Sequence, residues 1–189
     1  MRKIVLFASG SGTNVENIIN YFENNSIVNQ YLVLVNNPHA KVIEKAEKRN
    51  VPVYIFDKNQ LNNGELAEKL AAFDPDLIVL AGFLWKFPED LVKKYHNQVI
   101  NIHPALLPQY GGKGMYGHFV HEAVLANKEK ETGITIHFVN ENYDEGAIIL
   151  QAKTAVEPNF TAEDIAKAVQ ALEYKHFPIV IEQLLFKEK

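Results

Sequence analysis

An α/β fold is what this sequence predicts: an open, twisted, mainly parallel sheet flanked by helices on both faces, with an antiparallel strand pair near the C-terminus. Three observations carry that expectation. Short continuous apolar runs alternate with amphipathic helical patterns along most of the chain, the signature of βα units and a parallel sheet. The first such run ends in a glycine-rich turn, Ser9-Gly10-Ser11-Gly12, that opens a helix. Late in the chain, two strand-like runs are separated only by the short loop Asn140 to Gly146, which suits antiparallel pairing.

Ile4 to Ala8 is the first strand, and Val15, Ile18, Ile19 and Phe22 mark one face of the helix that follows. Between them the loop Ser9 to Asn14 has the strand–glycine–helix order that holds anions on backbone N–H groups. Thr13 or Asn14 is suited to cap that helix. The loop is neither GxGxxG nor GxxxxGK[ST], so it favours a phosphate of some kind over a tight turn that binds nothing, without specifying the ligand. Tyr31 to Val35 reads as a second strand ended by Asn36-Asn37-Pro38, and Ala40 to Arg49 as a charged helix whose Glu44–Arg49 face is solvated. Val51 to Phe56 is a third strand, Asp57 to Asn63 a polar loop, and Glu65 to Phe73 a helix.

Leu77 to Ala81 is the most hydrophobic run and therefore a central strand. The loop after it, Gly82 to Pro88, is apolar and aromatic. Its Phe83, Trp85 and Phe87 suit either the wall of a pocket for a flat ring or simple core packing. A helix follows near Glu89 to Tyr95, and Gln98 to Ile102 feeds the stretch Asn101-Ile102-His103-Pro104-Ala105-Leu106-Leu107-Pro108. Residues i and i+2 of a strand share a face, so Asn101 and His103 address one volume. Pro104 and Pro108 disfavour helix at the residues before them, predicting a chain that leaves the sheet extended and rigid. Gln109 to Gly117 is too glycine-rich for a regular element and suggests mobility or close backbone approach to a ligand. His118 to Asn127 is helical, Ile134 to Val139 and Ala147 to Ala155 are the strand pair, and a last helix runs from Thr161 through or around Pro178 to Phe186.

The 189 residues, 47% hydrophobic and 22% charged, fit one folded domain. A net charge of −4 lacks the basic footprint of a nucleic-acid binder. With no cysteine there are no disulfides, thiolate nucleophiles or Cys-based zinc sites, and no His/carboxylate trio has metal spacing. No run approaches the roughly 20 apolar residues of a membrane span. A soluble, cytoplasmic protein with no membrane, nucleic-acid or metal partner is expected, either monomer or homodimer.

In an open sheet of this kind ligands bind beyond the C-terminal ends of the strands. The loops there carry the Gly12-Thr13-Asn14 turn, the Leu84–Phe87 loop, Asn101 with His103, and Asp144. An amide, an imidazole and a carboxylate without a nucleophilic Ser or Cys argue against an acyl-enzyme. They suit direct attack of one bound substrate on another, with Asn101 donating to a developing oxyanion. His103 would stabilise the same oxygen or move a proton, with Asp144 orienting it and raising its pKa. His137 suits a pocket or a structural hydrogen bond equally. His118 and His121 read as structural, and His39, His96 and His176 as surface residues.

Three stretches carry a family resemblance: Leu80-Ala81-Gly82-Phe83, Asn101 to Pro108, and His137-Phe138-Val139 with Asp144-Glu145-Gly146. Over its whole length the chain resembles the phosphoribosylglycinamide formyltransferases, with Ala105 where the family's Asn-x-His-Pro-Ser-Leu-Leu-Pro pattern has serine. The resemblance implies a Rossmann-like formyltransferase domain over 1–189, with a phosphate-binding half (1–100) and a catalytic and folate-binding half (101–189). It implies formyl transfer from 10-formyltetrahydrofolate, as co-substrate, to glycinamide ribonucleotide, with Asn101, His103 and Asp144 as the catalytic trio. By the same resemblance Gly12, Thr13 and Asn14 hold the ribonucleotide phosphate and Glu173 lies near its ribose. The resemblance also places the folate against Leu84, Trp85, Lys86 and Phe87 and the Asn140–Asp144 loop, including Glu141, in contact with Asn101. It further implies an arginine near Asn59, for which Lys58 is the substitute this sequence offers. The nearest alternative is a formyltetrahydrofolate deformylase or another formyl-folate-dependent transferase.

Overall fold

The computed structural model describes residues 1–186; the last three positions of the predicted 1–189 domain lie outside the described residues. The strands are β1 (Arg2–Ala8), β2 (Asn29–Val35), β3 (Val53–Ile55), β4 (Leu77–Leu80), β5 (Val99–His103), β6 (Glu131–Phe138) and β7 (Ile148–Ala155). They form one seven-stranded sheet in the order β3-β2-β1-β4-β5-β6-β7. Neighbouring strands from β3 to β5 pair parallel. The β5–β6 and β6–β7 pairs are antiparallel. The helices are α1 (Thr13–Asn24), α2 (Val42–Glu47), α3 (Lys58–Asn62), α4 (Glu65–Phe73), α5 (Glu89–Lys94), α6 (His118–Ala126) and α7 (Ala162–Phe186).

The central strands are apolar throughout because both faces of the sheet are covered. Ile4 and Leu6 of β1 point into a core closed by α1, α2, α6 and α7, while Val5 and Phe7 point into a second core closed by α3, α4 and α5. The strand order reverses between β1 and β4, which lie side by side while their connections leave in opposite directions. A crevice opens at such a switch point, beyond the C-terminal strand ends.

Several local expectations are corrected. The Asp57–Asn63 segment contains α3, held by a capping box in which Asp57 accepts from the Gln60 N–H (2.9 Å) and Gln60 Oε1 accepts from the Asp57 N–H (3.0 Å). Helix α2 is shorter than its charge pattern, and Lys45 and Arg49 of that face reach back to Glu16 and Glu23 on α1, both at 2.8 Å. Helix α1 is capped by neither Thr13 nor Asn14 but by Gly12, at φ 68°. A Cβ there would lie 2.3 Å from Val42 Cγ2, so α2 packing and a left-handed backbone both require glycine. Past His103 the chain does not stay extended but bends at Pro104 and turns over 107–110. Thr135 Oγ1 gathers that turn, donating to the Ala105 carbonyl (2.7 Å) and accepting from the Leu107 N–H (3.0 Å).

Helix α7 runs through Pro178 without breaking. Proline leaves the carbonyl four residues earlier without its helical partner. That carbonyl, Tyr174 O, instead accepts from Asn17 Nδ2 on α1 at 3.0 Å. A docked neighbour thus satisfies the group that the ring would orphan.

Candidate functional site

A cavity of about 500 Å³ occupies the crevice at the C-terminal ends of β1, β4 and β5. Its first wall is the β1–α1 turn. Ser9 ties this turn to the loop after β4, donating its N–H to Gly82 O (3.1 Å) and accepting from the Leu84 N–H at Oγ (3.0 Å). The first intrahelical bond of α1 runs from the Glu16 N–H to Gly12 O at 2.9 Å. The N–H groups of Thr13, Asn14 and Val15 therefore have no helical acceptor, the usual state of a first turn and a favourable place for an anion. Ser11 and Asn14 line the cavity, whereas Gly12 and Thr13, between them in the chain, do not. Asn14 Nδ2 donates to Glu173 Oε2 at 2.9 Å, joining α1 to α7. Burial pushes the Glu173 carboxyl up, against the opposing pull of that hydrogen bond.

The second wall is the loop after β4. Phe83 and Phe87 are buried and pack edge-on against Phe7 at 5.2 and 5.3 Å, yet both also line the cavity with Leu84, Trp85 and Lys86. Core and wall are here one aromatic cluster, so the two sequence readings of this loop do not compete. Lys86 pairs with Glu89 at 3.0 Å. Lys58, exposed on α3, lies outside the cavity with its Nζ 5.5 Å from the Trp85 ring centre.

The third wall holds the polar groups. Asn101 and His103 project from one face of β5 into the cavity, and the antiparallel register sets His137 of β6 opposite Asn101. His137 Nδ1 contacts the Phe138 carbonyl at 2.9 Å. A carbonyl only accepts, so Nδ1 carries the proton and Nε2 of the neutral ring is an acceptor. Asn101 Nδ2 donates to that Nε2 at 3.1 Å, and its second hydrogen faces Asp144 Oδ1 at 3.5 Å. Asp144, at φ 57°, brings Oδ2 to 3.6 Å from His103 Nδ1 and accepts from the Gly112 N–H at 2.9 Å. His103 Nε2 meets the Tyr110 carbonyl at 2.7 Å.

These contacts set the charges. Burial pushes the Asp144 carboxyl up, but His137, the charge of His103 and the Gly112 N–H outweigh it and hold it below the usual carboxylate range. For His103 the balance goes the other way. Burial is the largest influence and lowers its pKa; Asp144 and the Tyr110 carbonyl recover only part of that. The expectation that Asp144 raises the imidazole pKa is thus corrected in its net sign: the pull exists and desolvation overrides it. At neutral pH the pair is an ionised carboxylate beside a neutral imidazole.

Of the remaining residues singled out in the sequence, Asn140 lines the cavity, while Glu141 is exposed and does not. His137, open in the sequence between a pocket and a structural hydrogen bond, lines it, and so do groups not assigned to the site. His137 is 2% exposed and bonded to Asn101, and His121, 6% exposed on α6, leaves its Nδ1 without a partner among the described residues. His118, on the same helix, and Gln170, one turn before Glu173 on α7, complete this side. The structural reading of His118 and His121 does not describe their place. Gln170 and Glu173, at i and i+3, share a helix face, a signal legible in the sequence. Among the described residues no cluster of His, Asp and Glu is arranged to hold a metal ion, and no helix is long and apolar enough to cross a membrane.

An anion-ready helix start, an aromatic wall and an amide–imidazole–carboxylate group share one crevice. The chain belongs to the formyl transferase family, whose sequence pattern matches residues 2–181. Its relatives include several phosphoribosylglycinamide formyltransferases. Phosphoribosylglycinamide formyltransferase of Bacillus subtilis is 36% identical over 191 residues, covering 98% of this chain and 95% of that protein. The chloroplastic enzyme of that name from Arabidopsis thaliana is 38% identical over 187 residues, covering 95% of this chain. The chain spans 64% of the length of the Arabidopsis protein and 61% of its Vigna unguiculata counterpart. The crystal structure of phosphoribosylglycinamide formyltransferase from Bacillus halodurans superposes with a TM-score of 0.90 at 31% identity, over 100% of this chain and 97% of that one.

Proposed function

We propose that this chain transfers the formyl group of 10-formyltetrahydrofolate to the amino group of 5'-phosphoribosylglycinamide, giving N-formylglycinamide ribonucleotide in purine biosynthesis. The observation that supports this most is the convergence of Asn101, His103 and Asp144, at 3.5 and 3.6 Å, on a cavity that also reaches the start of α1 and the aromatic loop. In this reading the phosphate sits on the free N–H groups of the Gly12-Thr13-Asn14 turn, with the ribose beside Glu173. The pterin lies against Leu84, Trp85, Lys86 and Phe87 and the Asn140–Asp144 loop, to which Glu141 contributes through its backbone. Lys58 meets the acidic end of the folate from the outer side of Trp85.

The amine nitrogen attacks the formyl carbon, the bond from that carbon to the folate nitrogen breaks, and one proton passes from the amine to the folate nitrogen. Asn101 has one hydrogen held by His137 and another only loosely engaged at 3.5 Å. The second is the one free to turn to the formyl oxygen as charge grows there, a contribution of about 3–4 kcal/mol for a single such donor. Ionised Asp144 orients a bridging water through which the amine proton reaches Nδ1 of His103, neutral at rest. The Asp144 charge balances the imidazolium until that same proton passes to the folate nitrogen as its bond to the formyl carbon breaks. Holding two substrates in line supplies roughly 7–11 kcal/mol of the barrier lowering. Every group named comes from one chain, so the reaction is open to monomer and homodimer alike, and we place it in the cytoplasm.

Calorimetric titration with glycinamide ribonucleotide tests the assignment against a deformylase, which has no use for that ligand. Saturable binding is expected, weakened at least tenfold by Asn14→Asp, which sets a carboxylate against the phosphate, with folate binding unchanged. Absence of binding, or indifference to Asn14→Asp, rejects the phosphate site.

A further inference from the structure

Resting on that reading, we propose that Tyr110-Gly111-Gly112 is a positioning clamp that fixes the tautomer of His103 and the orientation of Asp144 together. The two groups are gripped by one short stretch of backbone: the Tyr110 carbonyl takes His103 Nε2 at 2.7 Å, and the Gly112 N–H reaches Asp144 Oδ2 at 2.9 Å. Because a carbonyl cannot donate, His103 keeps its proton at Nε2, which leaves Nδ1, 3.6 Å from Asp144 Oδ2, as the only nitrogen that exchanges protons. The clamp therefore decides which ring nitrogen faces the carboxylate.

The local backbone is built for this and not for chain economy. Tyr110 sits at φ 56°, a left-handed conformation that tyrosine rarely adopts. Strain of that kind persists only where the surroundings over-determine it. The surroundings do so here: the Tyr110 hydroxyl donates to Glu129 Oε1 at 2.7 Å and accepts from Asn127 Nδ2 at 3.0 Å, both beyond the C-terminal end of α6. Turned this way, the side chain anchors outward while the carbonyl points at His103. Gly111 explains the closeness of the grip. A Cβ on it would lie 2.6 Å from Leu107 Cδ2 and 3.4 Å from Asp144 Cβ, so a side chain there would displace Leu107 and press on Asp144. The glycine-rich loop after Pro108 thus begins as a support for the polar group, whatever its later glycines do.

The direct test is ¹⁵N NMR of the imidazoles in the free, full-length protein at a pH where His103 is neutral. His103 is assigned by loss of its signals in His103→Gln. The clamp requires a protonated-type shift at Nε2 and an unprotonated-type shift at Nδ1; the opposite pattern, or averaged shifts, overturns it. The functional arm uses Gly111→Ala and Tyr110→Phe. With folding checked by thermal unfolding, Gly111→Ala is expected to mix the His103 tautomers. It should also lower kcat on the order of a hundredfold, the cost of roughly 1 Å of misplacement, with KM for the ribonucleotide within about threefold. Tyr110→Phe, which keeps the ring and carbonyl but releases the anchor, should lower kcat on the order of tenfold and shift the acid limb of the kcat profile. Unchanged tautomer and kcat in both variants refute the proposal. Should the wild type transfer no formyl group, the functional reading fails while the NMR measurement still tests the clamp.

Discussion

Replacing Asp144 by asparagine removes one charge and almost no volume, which makes it the cleanest perturbation of the polar group. Asparagine can keep the Gly112 N–H bond of 2.9 Å by presenting its oxygen there. Its amide then faces Asn101 Nδ2, now 3.5 Å away as donor against donor, and has no charge to offer His103. At the 3.6 Å separation of Asp144 Oδ2 and His103 Nδ1, an effective dielectric constant near 20 makes the lost attraction for a forming imidazolium about 4–5 kcal/mol. Loss of assisted proton transfer typically costs 10²- to 10⁴-fold, or about 3–5 kcal/mol, in line with that attraction. Asp144→Asn should therefore lower kcat by roughly 10²- to 10⁴-fold. With the ribonucleotide phosphate proposed to sit at the α1 end of the cavity, its Kd should stay within about threefold. Initial rates from the folate absorbance change, paired with calorimetric Kd values, measure both. A kcat within tenfold of the parent, or equal losses in kcat and affinity, would refute the role given to this carboxylate.

Further expectations concern stability. Gly12→Ala combines a left-handed backbone with a Cβ 2.3 Å from Val42 Cγ2 and should cost roughly 2–5 kcal/mol in urea unfolding without any ligand; an unchanged midpoint would mean that α2 yields freely. His103 and His121 both have imidazole pKa values lowered by burial from the ordinary 6.5. The unfolded chain then binds protons more readily, so stability is full above pH 6.5 and declines as pH falls through that value toward the folded-state pKa values. Thermal midpoints from pH 8 to 5 should show this fall, and His121→Gln should flatten it; a flat wild-type profile would contradict burial of neutral imidazoles.

The sheet was largely legible because its signal is local. Buried parallel strands read as continuous apolar runs, and Leu77 to Leu80 announces itself as central by that criterion alone. The pleat put Asn101 and His103 on one face without any knowledge of the partner strand. What the sequence could not carry was register. His137 faces Asn101 because β5 and β6 pair antiparallel in one particular alignment, and alternation along β6 is the same in every register. Helix α3 went unread although Asp57 and Gln60 form a capping box, because Leu61 is its only buried residue and no periodicity accompanies so short a turn. The net pKa of His103 is not legible for another reason: sequence supplies the attracting charge, while burial of the ring is a property of the assembled cavity.

Formyl transfer to a ribonucleotide acceptor is open to one direct assay. The purified chain is mixed with 10-formyltetrahydrofolate, with and without 5'-phosphoribosylglycinamide, while folate absorbance is followed and the ribonucleotide product is weighed by mass spectrometry. Folate turnover is expected only when the ribonucleotide is present, matched mole for mole by a formylated product. Turnover that proceeds equally without the ribonucleotide, releasing formate, would contradict it.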